Sequence, residues 1–274
     1  MSINRGVYID SAHSLYVADA EPTSGTFPSG STLQPGEVTI AIKSSGICGS
    51  DIHFWKHGGI GPRLSFDEGA LLEPLSVALT SVTRAGVTIG GPVVICGAGP
   101  IGLITLQVCR TTGAWPIVIT DINEARLNFA EEYVLGVRAC LVRQDQSPED
   151  CAEHVDELMG EEIETAIAME CTGIETSLAT AVHSVKFGGK VFVIGVGKDK
   201  LEILFMRMSA RKIDLQFQQR YVNTWPRAIR VLESGMIDLK KLVTHEFCLE
   251  DAVEAFVTAA DPTHGAIKVL IQSG

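Results

Sequence analysis

The sequence lacks several features that would point to common classes of protein. None of its seven cysteines is paired in a CxxC motif, and their odd number argues against a disulfide framework. Aromatic residues make up only 6% of the chain, and no run of basic residues accompanies the net charge of −11. A general affinity for nucleic acid or for an anionic membrane surface is therefore not expected.

The chain also lacks a long apolar run that could direct it to a membrane. The opening residues, MSINRGVYIDSAHS, contain no apolar core, so we expect no secretory signal and a cytoplasmic protein with reduced thiols. Residues 85–109 carry no charge, but they include six glycines and two prolines, which would break a membrane-spanning helix. This stretch is instead typical of a turn, a buried strand, a glycine loop and a helix.

The chain does contain enough apolar material for a substantial core. It has 274 residues, of which 46% are hydrophobic and 20% are charged. This length allows one large domain or two modest ones, and the composition argues against disorder. No internal repeat or low-complexity tract interrupts the sequence.

The clearest pattern in the chain is VVICGAGPIGLITLQV. Val93–Cys96 is a short apolar run typical of a buried parallel strand, and the glycines of a GxGxxG motif follow it directly. A helical pattern continues from these glycines, and a second apolar strand over residues 117–120 ends at Asp121. Strand, glycine turn, helix, strand and acid in this order predict a dinucleotide-binding site.

Each glycine of this motif has a separate role in the predicted site. Gly97 permits the tight turn out of the strand, Gly99 leaves room for the pyrophosphate, and Gly102 lets the helix pack close to the sheet. The phosphates would lie at the positive end of that helix. Asp121 would accept hydrogen bonds from the adenine ribose and repel a 2′-phosphate, which favours NAD over NADP. The predicted cofactor-binding residues of this segment are Gly97, Gly99, Pro100, Ile101, Gly102, Asp121, Ile122 and Arg126.

Strand and helix patterns continue to alternate along the central part of the chain. Helical patterns cover residues 123–133 and 176–185, strand patterns cover 164–171, 190–195 and 213–218, and Gly189 is predicted to separate a helix from a strand. This alternation predicts a doubly wound parallel α/β sheet, in which ligands bind beyond the carboxyl ends of the strands. The residues at those ends are Thr172, Gly173, Val193, Gly195, Val196 and Gly197. Of these, we take Thr172, Val193, Gly195 and Val196 as cofactor candidates, with ordinary strand-to-helix turns as the alternative.

The two ends of the chain differ from this central part. Residues 15–18 and 37–43 have short strand patterns joined by turn-rich segments. The C-terminal part has strand patterns over 243–248 and 267–271, with a helical pattern over 249–260 between them. These patterns predict a Rossmann domain inserted in a β-rich domain that is built from both ends of the chain.

Several stretches of the sequence together carry a family resemblance. They are GICGSDIH from Gly46, EGALLEPLSV from Glu68, CGAGPIG from Cys96, ECTG from Glu170, FGGKVFVIGVG from Phe187 and NTWPRAI from Asn223. On these stretches the chain resembles the zinc-dependent medium-chain dehydrogenases and, among them, the polyol dehydrogenases. The resemblance implies a Rossmann domain over residues 80–235, inserted in a truncated GroES-like β-rich domain made of residues 1–79 and 236–274.

The resemblance also implies a reaction and the residues that perform it. Members of the family transfer a hydride reversibly between a secondary alcohol of a polyol and NAD, with zinc as a Lewis acid on the alcohol oxygen. By resemblance, Cys48 is a zinc ligand, Glu73 is a ligand or a carboxylate close to the zinc, and Ser50 and His53 belong to the relay that removes the proton. The residues implied to contact the polyol are Phe54, Arg220 and Tyr221. We expect the protein to form a homo-oligomer.

The sequence departs from the family between residues 62 and 66. The family's Gly-His-Glu motif, which completes the metal site, and the lobe with four cysteines that binds a structural zinc are both missing. A catalytic zinc needs three protein ligands and an open position, whereas the matching residues are Cys48 and Glu73. His53 and His57 could substitute, and Cys48 could instead be a buried thiol left over from a lost site.

Three functions therefore stay open. The first is an NAD-dependent polyol dehydrogenase, the second is a non-catalytic NAD-binding pseudoenzyme, and the third is a zinc-free reductase of the same superfamily. Asp121 and the polyol-type pair of Arg220 and Tyr221 argue against the third. Loss of the missing lobe also predicts exposed apolar sheet edges and faces.

Overall fold

The computed structural model of the protein describes residues 5–10, 12, 14–19 and 66–272. The chain divides into two compact units, Met1–Arg63 and Leu64–Gly274. The strand predicted over residues 37–43 lies outside the described residues.

The described part of the first unit is a β-hairpin. β1 (Arg5–Ile9) and β2 (Leu15–Asp19) pair in antiparallel orientation. Tyr8 lies opposite Tyr16, and the centroids of the two stacked rings are 5.7 Å apart. The predicted strand over residues 15–18 is present as β2, whereas β1 has no predicted counterpart.

The second unit contains a six-stranded sheet in which all neighbouring strands are parallel. In chain order the strands are β3 (Val93–Cys96), β4 (Ile117–Asp121), β5 (Arg138–Leu141), β6 (Thr165–Glu170), β7 (Val185–Val193) and β8 (Asp214–Phe217). Their spatial order is β5-β4-β3-β6-β7-β8. The chain starts in the middle of the sheet and reverses its direction of travel between β5 and β6, so a topological switch point lies beyond the carboxyl ends of β3 and β6.

Helices accompany this sheet on both faces. They are α1 (Phe66–Ala85), α2 (Pro100–Thr112), α3 (Glu124–Tyr133), α4 (Pro148–Met159), α5 (Glu175–Ser184), α6 (Phe205–Ala210) and α7 (Trp225–Glu233). Val93 and Ile95 belong to one buried apolar cluster and Val94 and Cys96 to a second, because alternate residues of a strand face opposite sides of a sheet. The predicted doubly wound parallel α/β sheet is thus confirmed.

The predicted break at Gly189 is wrong. β7 runs through this residue, although its register against β6 shifts along the way. Gly188 has φ +68, and a Cβ on Gly189 would lie 2.9 Å from the carbonyl oxygen of Lys186. The two glycines therefore form an irregular stretch within the strand and do not mark its beginning.

The C-terminal part of this unit forms a smaller sheet. β9 (Val243–Cys248) and β10 (Lys268–Gln272) are parallel, and α8 (Ala252–Ala260) lies between them in the chain. The predicted strands and helix of this part are all present, although a 3-10 turn, Leu249–Asp251, precedes the helix. Among the helices that the structure describes, none combines the length and apolarity needed to cross a bilayer.

Candidate functional site

The predicted glycine motif lies in the turn that joins β3 to α2. Gly97 has φ +103, which is a left-handed conformation, and its amide donates a hydrogen bond to the carbonyl oxygen of Thr120 at 2.8 Å. Gly99 is the N-cap of α2, and Pro100 occupies the first turn of the helix. No side chain caps α2 and its first turn holds no acidic residue, so the amides at this end are available to a ligand. A phosphate group is a suitable acceptor for such amides.

The space around this turn distinguishes the three glycines. A Cβ on Gly99 would meet no atom within 4 Å, whereas a Cβ on Gly102 would lie 1.8 Å from the carbonyl oxygen of Gly97. Gly99 therefore leaves room for a ligand at the main chain, and Gly102 allows α2 to approach the end of β3 closely. A Cβ on Gly97 would in turn lie 2.6 Å from Cγ2 of Thr172, so the loop after β6 contacts the same turn.

Asp121 is the last residue of β4 and is only 9% exposed. One carboxylate oxygen accepts a hydrogen bond from the amide of Ala98 at 2.7 Å, and the other accepts one from the amide of Asn123 at 2.8 Å. Asp121 thereby joins the glycine turn to the start of α3, where the Asn123 side chain accepts a hydrogen bond from the amide of Arg126 at 3.2 Å. Each carboxylate oxygen has a further lone pair that can accept from a ribose hydroxyl. Ile122 is largely exposed beside it.

The carboxyl end of β6 carries a residue that the sequence prediction did not include in the site. Glu170 is fully buried, and its carboxylate accepts hydrogen bonds from the amides of Thr172 and Gly173 at 2.8 and 2.9 Å. It also accepts from the hydroxyls of Thr172 and Ser177, the latter at 2.8 Å. The signal that could have identified Glu170 is an acid at the end of an otherwise largely apolar strand, TAIAME.

The loops that follow β6 and β7 approach each other through glycines. A Cβ on Gly195 would lie 2.1 Å from the amide nitrogen of Gly173, and a Cβ on Gly197 would lie 2.0 Å from the carbonyl oxygen of Gly173. Side chains are thus excluded at this crossing. Val196 is largely exposed, whereas the side chain of Val193, at the end of β7, belongs to the apolar core. The ends of β3, β4, β6 and β7 together bring most of the predicted cofactor residues to one edge of the sheet.

Most residues implied in metal and substrate binding lie outside the described residues. These are Cys48, Ser50, His53 and Phe54. Glu73 is described, and it lies in α1 directly before Pro74 with an exposed side chain. Within the N-terminal hairpin and residues 66–272, no three His, Cys, Asp or Glu side chains are placed so that they could hold a metal ion.

The two described substrate candidates, Arg220 and Tyr221, lie between β8 and α7. Arg220 has φ +52, and its carbonyl oxygen accepts a hydrogen bond from the side-chain amide of Gln218 at 2.5 Å. The ring of Tyr221 packs against the buried apolar cluster that contains Val93 and Ile95. The centroid of this ring lies 6.4 Å from that of Trp225. The core of the second unit and the start of α7 therefore hold this segment in place.

The cysteines that the structure describes are free thiols. Cys96, Cys109, Cys140 and Cys151 are buried, Cys171 is partly buried and Cys248 is exposed. Burial raises the pKa of Cys109 to about 12. Burial and, to a smaller extent, the Glu170 carboxylate raise the pKa of Cys171 well above its ordinary value. Both thiols therefore stay protonated and unreactive at neutral pH.

Comparison with known proteins identifies the family. The sequence profile described as "Zinc-binding dehydrogenase" matches residues 100–234. The L-arabinitol 4-dehydrogenase of Aureobasidium melanogenum is 46% identical, over 98% of this chain and 96% of its own length. The chain belongs to the zinc-binding dehydrogenase family.

Other members of the zinc-binding dehydrogenase family match as well. The sorbitol dehydrogenase of Bos taurus is 39% identical, over 87% of this chain and 89% of its own length. The crystal structure of an oxidoreductase/dehydrogenase of unknown specificity from Escherichia coli is 30% identical, with a TM-score of 0.71 over 78% of this chain. The chain spans 60% of the length of that solved structure. The predicted membership of the polyol dehydrogenases and the predicted Rossmann fold are confirmed.

This family member is shorter than its relatives. The alignment with the Aureobasidium melanogenum enzyme runs over 355 residues, although this chain has only 274. The relative therefore contains residues that have no counterpart here. A shorter chain is what the missing Gly-His-Glu motif and four-cysteine lobe predict.

Proposed function

We propose that this chain binds NAD in preference to NADP, at the edge formed by the glycine turn and Asp121. The observation that carries this proposal is the hydrogen bond from the amide of Ala98 to the Asp121 carboxylate at 2.7 Å. It places a negative charge beside the turn in which Gly99 leaves space for a phosphate. A carboxylate in this position accepts hydrogen bonds from the adenine ribose and repels a 2′-phosphate.

Candidate residues for both halves of a dinucleotide are among the described residues. The amides at the start of α2, near Pro100 and Ile101, would hold the pyrophosphate, and Ile122 and Arg126 would lie beside the adenine half. Thr172, Gly195 and Val196 lie in the loops that would hold the other half, and Val193 ends the strand before the second of these loops. Bound NAD supplies a hydride acceptor for an alcohol carbon. The contribution of these residues is to bind the cofactor and to orient it.

We further propose that the substrate is a polyol, with L-arabinitol, xylitol and sorbitol as candidates. The support is the similarity to proteins named L-arabinitol 4-dehydrogenase and sorbitol dehydrogenase. Phe54, Arg220 and Tyr221 are the proposed polyol contacts, and Ser50 and His53 are proposed to move the proton. Glu73 is proposed to lie close to the metal.

The proposed zinc site is incomplete in this chain. Cys48 and Glu73 are the residues that match the family's metal site, whereas a catalytic zinc needs three protein ligands. We therefore propose that zinc binds weakly and that turnover is slow. Loss of Lewis-acid stabilisation raises the free energy of the transition state by several kcal/mol. Each 1.4 kcal/mol changes the rate by about tenfold, so a deficit of roughly a thousandfold is expected.

A second candidate function is a non-catalytic NAD-binding protein. The observation that favours it is that the chain is shorter than its relatives and lacks the segment with the family's Gly-His-Glu motif. A zinc-free reductase is less favoured, because Asp121 and the pair of Arg220 and Tyr221 are of the polyol-dehydrogenase type.

The decisive assay follows NADH formation at saturating NAD with each polyol, with and without added zinc. The proposal expects NAD binding together with slow oxidation of at least one polyol. NAD binding with no turnover under any condition would identify the non-catalytic alternative. Turnover at the rate of longer relatives would show that the metal site is complete. Slow turnover that rises to that rate only after the missing segment is restored would support the proposal.

We also propose a cytoplasmic homo-oligomer. The support for assembly alone is the exposed apolar surface of α8, where Val253, Phe256 and Val257 are solvent-accessible in the described part of the chain. An assembly would cover such a surface. Light scattering coupled to gel filtration measures the mass directly, and a mass of one chain at micromolar concentration would contradict the proposal.

A further inference from the structure

Glu170 is a fully buried carboxylate at the carboxyl end of β6. Its side-chain oxygens are the acceptors in all four of their hydrogen bonds. Oε1 accepts from the amide and the hydroxyl of Thr172 and from the hydroxyl of Ser177, and Oε2 accepts from the amide of Gly173. A carboxylate accepts at both oxygens, whereas glutamine would place its NH₂ group against at least one of these donors. The loop therefore favours glutamate over glutamine, its neutral isostere.

The main chain of Glu170 connects this loop to the neighbouring strand. Its carbonyl oxygen accepts hydrogen bonds from the amides of Ile194 and Gly195 at 2.7 and 3.0 Å. The loop also contacts the glycine turn, since Cγ2 of Thr172 lies 2.6 Å from the position of a Cβ on Gly97. The loop that the Glu170 side chain holds in place therefore lies where the ends of β3, β6 and β7 meet.

The order of the strands indicates which half of a dinucleotide this surface would meet. β4, which carries Asp121, lies on one side of β3, and β6 and β7 lie on the other. A dinucleotide bound across the switch point places its adenine half toward the acid at the end of β4. The nicotinamide half then lies toward the loops after β6 and β7.

We propose that Glu170 is a positioning residue for the nicotinamide half of the cofactor. It would act through Thr172 and Gly173, whose amides it fixes, and would not itself touch the cofactor. Burial of a carboxylate is unfavourable unless hydrogen-bond donors replace the lost water. A buried polar network in which every group is satisfied makes the surrounding main chain rigid. This inference rests on the proposed binding of NAD at the same edge of the sheet.

The test compares the affinities of the whole chain for NADH and for ADP, measured by calorimetric titration. ADP carries the adenine half alone, so it reports on the Asp121 side of the site. In Glu170→Gln, we expect the affinity for NADH to fall by about tenfold or more and that for ADP to change by less than about twofold. A general loss of structure would lower the affinities for both ligands equally.

The matched control is Ser147→Ala, which removes the capping box between Ser147 and Asp150 at the start of α4. We expect this variant to lose stability, to keep the hydrogen bonds to Glu170 and to bind both ligands as the unmodified chain does. A Glu170→Gln variant that binds NADH normally, or that loses NADH and ADP to the same extent, would overturn the proposal.

A milder variant covers the case in which Glu170→Gln fails to fold. Ser177→Ala removes one hydroxyl donor from Oε1 and keeps the carboxylate and both amide donors. We expect NADH affinity to fall about threefold with ADP affinity unchanged, and unchanged NADH affinity would count against the inference. If the unmodified chain binds neither ligand, the proposed function itself is wrong, which distinguishes the two failures.

Discussion

A Cβ on Gly102 would lie 1.8 Å from the carbonyl oxygen of Gly97, closer than two such atoms can approach. Helix α2 therefore packs against the end of β3 at a distance that only glycine allows at this position. Gly99, three residues earlier in the chain, faces open space instead. One motif thus contains a glycine required for packing and another that leaves room for a ligand.

The first prediction separates these two roles. Gly99 has φ −74, which alanine adopts without strain, so Gly99→Ala should fold with an unchanged Tm. Its methyl group would occupy the space beside the proposed phosphate and lower NADH affinity by about tenfold or more. Gly102→Ala should instead lose about 3 kcal/mol or more of stability through overpacking. Thermal unfolding and NADH titration check both variants, and normal NADH binding by Gly99→Ala would refute the assigned position of the phosphate.

The second prediction concerns the choice of cofactor. Asp121→Ser removes the carboxylate that we propose to repel a 2′-phosphate, so the ratio of NADPH to NADH affinity should rise. The amide of Ala98 also loses its acceptor, and the Tm should fall because a buried donor is left unsatisfied. Glu124→Ser, an exposed substitution in the first turn of α3, is the control and should leave the ratio unchanged. An unchanged ratio in Asp121→Ser would show that Asp121 does not determine the preference between NADH and NADPH.

The third prediction concerns metal content. The purified chain should hold well under one zinc per chain and no structural zinc, because the sequence supplies Cys48 and Glu73 but lacks the His-Glu pair and the four-cysteine lobe. Elemental analysis after gel filtration measures this ratio. One tightly held zinc per chain would contradict the prediction and would point to His53 or His57 as a replacement ligand.

The fourth prediction is a pH dependence of stability. Burial lowers the pKa of His183 below its ordinary value of 6.5, and Arg207 and Arg211 act in the same direction while Glu149 opposes them. The unfolded chain therefore takes up a proton at His183 at a higher pH than the folded chain, and stability falls as the pH drops below about 6.5. His183→Gln should lose less Tm than the unmodified chain between about pH 7.5 and about pH 5.5. His154→Gln, at an exposed position, is the control, and equal losses in all three proteins would refute this assignment.

The edge of the sheet that carries the candidate cofactor residues, here called the cofactor edge, could be predicted from sequence because its elements follow from local chemistry. The apolar run of β3, the glycines and the acid at Asp121 each have a physical reason to occur in that order, and the structure contains β3, α2 and β4 close to the predicted bounds. β5 and α4 have no predicted counterparts. β5 has only four residues and gives no strong periodic pattern. α4 does carry helical signals that the prediction did not use: Ser147 is its N-cap, Pro148 lies in its first turn, and its buried residues recur at helical spacing.

Other features depend on contacts between residues distant in the chain. Glycine at position 189 is typical of a boundary between a helix and a strand, yet pairing with β6 continues β7 through it. Glu170 is a different case, because its donors on Thr172, Gly173 and Ser177 are local and an acid at the end of a largely apolar strand was a sequence signal that the prediction did not use. The close crossing of Gly173 with Gly195, in contrast, is a long-range contact that no local pattern reveals.

The central claim is that this shortened member of the zinc-binding dehydrogenase family keeps an NAD-specific cofactor edge. Titration of the unmodified 274-residue chain with NADH and with NADPH, under identical conditions, tests it most directly. We expect saturable NADH binding that is at least about tenfold tighter than NADPH binding, because we propose that the Asp121 carboxylate repels the 2′-phosphate. Equal or tighter binding of NADPH, or no binding of either dinucleotide, would contradict it.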